Sequence, residues 1–150
     1  MNQLTKNSTI IAFDYGTVNI GVAVGQFTTC TATPLPYIKC ANSKLKWEVI
    51  TKLIEGWKPQ AVVIGLPYNM DGSLSEIAVL AKKFANKING RFNIPIFLSD
   101  ERLTTHEAKL IIKNNDNTKK SRKQQPIDSV AAVLILESWL LANKNKSENI

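Results

Sequence analysis

The spacing of apolar residues changes period several times along the chain, and each change marks an element. From about Thr9 to Gln26, β-branched and aromatic residues run on both sides of a break at Gly16 to Asn19, which predicts a hairpin of two strands. Thr31 to Ile38 keeps a strand-like pattern but holds Pro34 and Pro36, so it predicts a third strand at a sheet edge. The period then becomes helical. Trp47, Ile50, Ile54 and Trp57 form one stripe within Ser43 to Trp57, and Pro59 stops that helix. The same aromatic residues interleave with lysines, but a core-facing stripe explains them better than base stacking.

Ala61 to Pro67 is a continuous apolar run, the signature of a central parallel strand covered on both faces. Ser73 and Glu76 make a capping box for a second helix. Its buried face is Ile77, Leu80, Ala81, Phe84 and Ile88, and Gly90 suits its end. Ile94 to Leu98 predicts a fifth strand, and Thr104 to Glu107 a further capping box opening a helix to about Lys113. Asn114 to Gln125 has no apolar residue and predicts a mobile basic loop. Pro126 opens a last helix, Ile127 to Leu141, apolar nearly all round and therefore deeply packed. The order β-β-β-α-β-α-β-α-α predicts a mixed five-stranded sheet, a three-strand meander plus two parallel strands, with helices on both faces. Residues 1–150 read as a single domain, with 1–8 and 142–150 as loose tails.

One residue violates this pattern. Asp14 lies in the first apolar run, where a carboxylate is costly unless a cation, a metal or hydrogen-bond donors compensate it. The predicted sheet brings two other acids towards it: Glu101, just after the fifth strand, and Asp128, in the first turn of the last helix. Sites in open α/β sheets form beyond the carboxyl ends of the strands. Clustered carboxylates need a neutralising cation, and oxygen ligands without His or Cys select Mg²⁺ or Mn²⁺. Such a cluster can hold two ions for in-line phosphodiester hydrolysis. Each acid also has a plainer reading: Asp128 as a partner of the helix dipole, Glu101 as an exposed loop residue. Asp71 fits ordinary Asp-Gly turn chemistry, and His106, inside a capping box, fits a helix surface.

Charge adds a partner. The net charge is +7, and Lys109 to Gln125 alone carries six basic residues against Asp116. A polyanion is expected, with nucleic acid the usual one. Arg102, Lys119, Lys120, Arg122 and Lys123 are the candidate backbone-binding residues. Cys30 and Cys40, without C-x-x-C spacing, fit reduced thiols in the cytoplasm. Residues 1–8 hold no signal core, and no apolar run is long enough for a membrane span.

Four motifs carry a resemblance. Phe13-Asp14-Tyr15-Gly16 with Ile20-Gly21-Val22-Ala23, Gly65 to Ser73, Asp100 to Thr105, and Asp128 to Ala132 resemble, in order and spacing, those of the YqgF family. These bacterial proteins have an RNase H-like fold and are described as Holliday-junction-resolvase-like and as pre-16S rRNA nucleases. The resemblance covers about residues 9–140. It implies that Asp14, Glu101 and Asp128 are catalytic, metal-binding acids. It also implies a cytoplasmic nuclease that processes the 5′ end of 16S rRNA from its precursor. Where many members carry Arg or Lys before the Ile-Gly of the first motif, this chain has Val18 and Asn19. Two alternatives stay open: a Holliday junction resolvase, and a non-catalytic nucleic-acid-binding or transcription-associated factor. The residues leave RNA against DNA, endo- against exonuclease and monomer against dimer undecided.

Overall fold

Five strands order themselves around the first apolar run. In the computed structural model, which describes residues 4–16, 18–40, 47–66, 75–100 and 127–144 (backbone only at 100, 127 and 128), β1 spans Thr9–Asp14 and β2 spans Asn19–Gln26. β3 is Thr31–Lys39, β4 is Ala61–Leu66 and β5 is Ile96–Asp100. The sheet order is β3-β2-β1-β4-β5. β1, β2 and β3 form an antiparallel meander, while β4 runs parallel to β1 and β5 parallel to β4. One row crosses every strand: Leu35 pairs with Val22, Val22 with Phe13, Phe13 with Ile64 and Ile64 with Leu98. Because β1, β4 and β5 point the same way, their ends at Asp14, Leu66 and Asp100 share one rim.

Strand alternation sorts the core into two layers. Ile11, Phe13, Val22, Val24, Val62 and Ile64 pack on one face with residues of α1 (Trp47–Trp57) and α2 (Glu76–Phe92). Ile10, Ala12, Ala23, Ala61 and Val63 pack on the other with Ala132, Ile135, Leu136, Trp139 and Leu140 of α3 (Ile127–Ala142). The expected mixed sheet with helices on both faces is what the chain forms. The α3 face is built from smaller residues, so the helix lies close on the sheet. None of the helices among the described residues is long and apolar enough to cross a membrane.

Several local expectations are corrected. In α1 the stripe holds at Ile50 and Ile54, but Trp57 is 46% exposed at the helix end, and Leu53 contributes instead. Lys58 ends α1 by turning left-handed, its N–H donating to the Ile54 carbonyl at 2.8 Å, just before Pro59. The cap of α2 is Ser75, not Ser73: its hydroxyl accepts from the Ala78 N–H at 3.0 Å. The buried face of α2 uses Ala78 and Ala85 with Ala81, Phe84 and Ile88, leaving Leu80 largely outside. α2 runs past Gly90 because Asn93 takes the left-handed cap, and the Asn89 side chain donates to the Ile94 carbonyl at 3.0 Å. β5 begins at Ile96 rather than Ile94, since Pro95 has no N–H for the ladder; its carbonyl still accepts from Val62. The predicted helix over 104–113 and loop over 114–125 lie outside the described residues.

Gly25 sets how closely α3 can lie. A Cβ there would stand 2.6 Å from the Thr31 carbonyl oxygen and 3.2 Å from methyl carbons of both Leu136 and Leu140. Gly25→Ala is therefore expected to destabilise the fold by about 1–3 kcal/mol, the cost of an overpacked core. A lowered urea midpoint is the readout, and an unchanged one would mean that α3 can retreat freely.

Candidate active site

Asp14 ends β1, half-buried, opposite Gly21 of β2. Alternation gives it the face of Ile10 and Ala12, which is the face that α3 covers. Asn19 has the same parity on β2 as Gly21 and Ala23, so it belongs to that face too. Its Oδ1 is buried and has no hydrogen-bond partner among the described residues. The turn between them closes tightly. A Cβ on Gly16 would fall 2.5 Å from the Asn19 carbonyl oxygen, so Gly16 is needed for close backbone approach. Val18 is 62% exposed, and its carbonyl accepts from the Cys40 N–H at 2.8 Å.

The opposite face supports this rim with aromatic rings. Tyr15, the residue after Asp14, packs its ring 5.2 Å from that of Phe84, which also meets Phe13 at 5.4 Å and Trp47 at 6.0 Å. Arg91 lies over the Trp47 ring, 4.2 Å from its centroid. Burial pushes the Tyr15 phenol above its ordinary range, and the nearby Cys40 thiol adds to the rise. Burial also raises Cys40. Both cysteines are free thiols, as their spacing suggested.

α3 starts at the same rim. The Ser129 hydroxyl donates to the Leu35 carbonyl at 2.7 Å, and Leu35 lies in the row of Phe13. Further along, the Ala32 N–H donates to Glu137 Oε2 at 3.0 Å. The helix therefore runs from the rim of Asp14 back towards the start of β1, and its first turn, with Asp128, begins at that rim. The Asp128 side chain is not among those described. β5 ends at Asp100 on the same rim, two strand spacings or about 10 Å from β1. Glu101 follows in sequence but lies outside the described residues, as do Arg102, Lys119, Lys120, Arg122 and Lys123.

The donor chemistry fits a hard divalent cation. Asp14 and Asn19 present oxygens on one face of adjacent strands, and the buried Asn19 Oδ1 is an acceptor with no donor among the described residues. Among the described residues no group of three or more His, Cys, Asp or Glu side chains could hold a metal. Motif reading did not pick out Asn19 or Ser129. Ser129 does share a helical stripe with Ala132, Leu136 and Trp139, a pattern that places its hydroxyl against the sheet.

A mixed sheet of this order, covered on both faces, with an acid at the end of its first strand and its last helix starting at the same rim, defines the RNase H-like class of α/β folds. The chain belongs to the RuvX family, whose sequence model, described as Holliday junction resolvase, matches residues 8–142. The YqgF-like motifs are thus a mark of family membership. A Pseudomonas fluorescens (strain Pf-5) protein named "Putative pre-16S rRNA nuclease" is 50% identical over 134 residues, covering 89% of this chain and 92% of that one. One of the same name from Buchnera aphidicola subsp. Baizongia pistaciae is 52% identical over 136 residues, covering 91% and 98%. Among solved structures, Thermus thermophilus RuvC in complex with Holliday junction substrate aligns with a TM-score of 0.60 over 93% of this chain and 98% of that one. The fowlpox virus Holliday junction resolvase aligns with a TM-score of 0.56, covering 89% and 99%. Their identities of 14% and 15% make these likenesses of fold.

Two tests follow from the rim. Gly16→Ala is expected to lower stability by about 1–3 kcal/mol, because the added carbon meets backbone rather than a movable side chain. Thermal unfolding would show it, and an unchanged midpoint would mean the turn can open without cost. The second test is alkaline. With the folded pKa values of Tyr15 and Cys40 both raised, the stability they confer is complete below their unfolded values and is lost as pH rises through the folded ones. Urea midpoints should therefore fall above about pH 9. The fall should be shallower in a Tyr15→Phe, Cys40→Ala variant, and equal falls in both proteins would refute the assignment.

Proposed function

We propose that this protein is a metal-dependent nuclease that trims the 5′ end of precursor 16S rRNA, with Asp14, Glu101 and Asp128 as its metal-holding catalytic acids. One observation carries the reading: a half-buried carboxylate ends the first strand at the rim where the helix bearing Asp128 begins. The names of relatives at about half identity supply the substrate. Divalent cations such as Mg²⁺ or Mn²⁺, when bound there, activate water and stabilise the leaving oxygen in phosphodiester hydrolysis.

The chain's own contribution is placement. Asp14 is fixed by the β1–β2 ladder on one side and the β1–β4 ladder on the other. Asp128 comes from a helix pinned to the meander, and Glu101 from the exit of β5. A rigid scaffold under Asp14 and under the start of α3 keeps these two positions fixed while substrate binds. The exposed Val18 leaves the first turn without a cation, so the backbone hold falls to Arg102, Lys119, Lys120, Arg122 and Lys123. A Holliday junction activity is the second reading, favoured by the description of the family model.

The deciding experiment compares cleavage of precursor rRNA, duplex DNA and four-way junctions with Mg²⁺ and Mn²⁺. Asp14→Asn is expected to lower metal-dependent cleavage at least about a hundredfold, more than loss of an outer-shell partner costs. Full activity in Asp14→Asn would sink the proposal. Cutting of junctions in preference to precursor RNA would favour the second reading.

A further inference from the structure

We infer that Ser129 is a positioning residue for the carboxylate site, holding the first turn of α3, which carries Asp128, at the rim where β1 ends in Asp14. The inference rests on the reading of the rim as a metal-dependent nuclease site. Ser129 is fully buried, and its hydroxyl donates at 2.7 Å to the Leu35 carbonyl of β3. That carbonyl sits where the β2–β3 ladder is irregular: Ile20 pairs with Ile38 but Val22 with Leu35, so β3 has an extra residue. The next residue, Pro36, offers no N–H to the ladder. Bulges of this kind recur beside active sites, where they re-aim side chains. Here the irregularity gives α3 a fixed point of attachment one residue from Asp128.

A second clasp shows that the first is not needed merely to attach the helix. Glu137 Oε2 accepts from the Ala32 N–H at 3.0 Å, about two turns further along. Between Ser129 and Glu137 the helix advances about 12 Å, close to the three residues from Leu35 to Ala32 along β3, about 10 Å. The two bonds therefore fix helix register against the strand at both ends. Only the Ser129 end lies next to Asp128 in sequence. Loss of Ser129 lets the first turn slide or rotate, whereas loss of Glu137 loosens the far end.

The test compares Ser129→Ala with Glu137→Ala in the full chain. Mn²⁺ binding is measured by calorimetry, cleavage by kcat and KM, and the first two turns of α3 by amide exchange. Ser129→Ala is expected to weaken Mn²⁺ binding roughly tenfold, in the range of outer-shell losses. It should lower kcat with little change in KM for RNA, and speed exchange in those turns. Ser129→Thr, which keeps the hydroxyl, should restore all three. Glu137→Ala should lower the urea midpoint comparably but leave Mn²⁺ affinity unchanged. Equal loss of Mn²⁺ affinity in both variants, or none in Ser129→Ala, would overturn the inference by reducing Ser129 to general stabilisation. If Ser129→Ala does not fold, Ser129→Cys is read by the same criteria. Failure of the wild type to bind Mn²⁺ would instead overturn the nuclease reading, and unchanged exchange in Ser129→Ala would then overturn the clasp on its own.

Discussion

The close seat of α3 on the meander is the constraint on which the rest depends. Ala12, Ala23 and Gly25 keep the sheet face low where α3 crosses it. Large residues on the same strands then face the other way: Ile11, Phe13, Val22 and Val24 fill the layer under α1 and α2. The asymmetry between the two faces thus follows from one helix requiring close approach. Van der Waals contact there is dense, so a single added carbon must displace backbone or two leucines.

That seat also deals with an exposed edge. β3 ends the sheet, and an edge strand offers unpaired backbone groups to other chains. Pro34 and Pro36 remove two donors. α3 reaches over and pairs two of the remaining groups, the Leu35 carbonyl and the Ala32 N–H. One arrangement therefore protects the edge and fixes the helix.

Much of this was legible in the sequence because burial leaves a strong periodic trace. The run at Ala61 to Leu66 could only be a covered strand, and it lies between β1 and β5 with every residue buried. The prolines of β3 announced an edge. Errors came where local chemistry had near-equal choices. Ser73 and Ser75 both precede Glu76 at plausible cap spacing, and only the bond to Ala78 separates them. Gly90 and Asn93 can each end a helix, and the Asn89 bond to Ile94 favours the later exit. Trp57 continued a helical stripe on paper, yet the helix end lifts it off the core. Of the candidate site, Asp14 was legible because a charge in an apolar strand breaks its pattern. Asn19 and Ser129 were not, since the role of an amide or a hydroxyl depends on what the fold puts opposite it.

Asp14 and Asp128 lie more than a hundred residues apart in sequence, so no local rule can set their geometry. It must be carried by the sheet, through the row that joins Phe13 to Leu35 by way of Val22. Each step of that row crosses one backbone ladder, which is stiff, and its last step to the helix is a single hydroxyl bond. Apolar contacts hold α3 down but resist sliding weakly, because they are non-directional. A hydrogen bond of fixed length and angle resists it. Position along the helix axis is therefore set by polar groups, and the burial of α3 by apolar ones. This division explains why a buried serine occupies a stripe otherwise made of Ala, Ile, Leu and Trp.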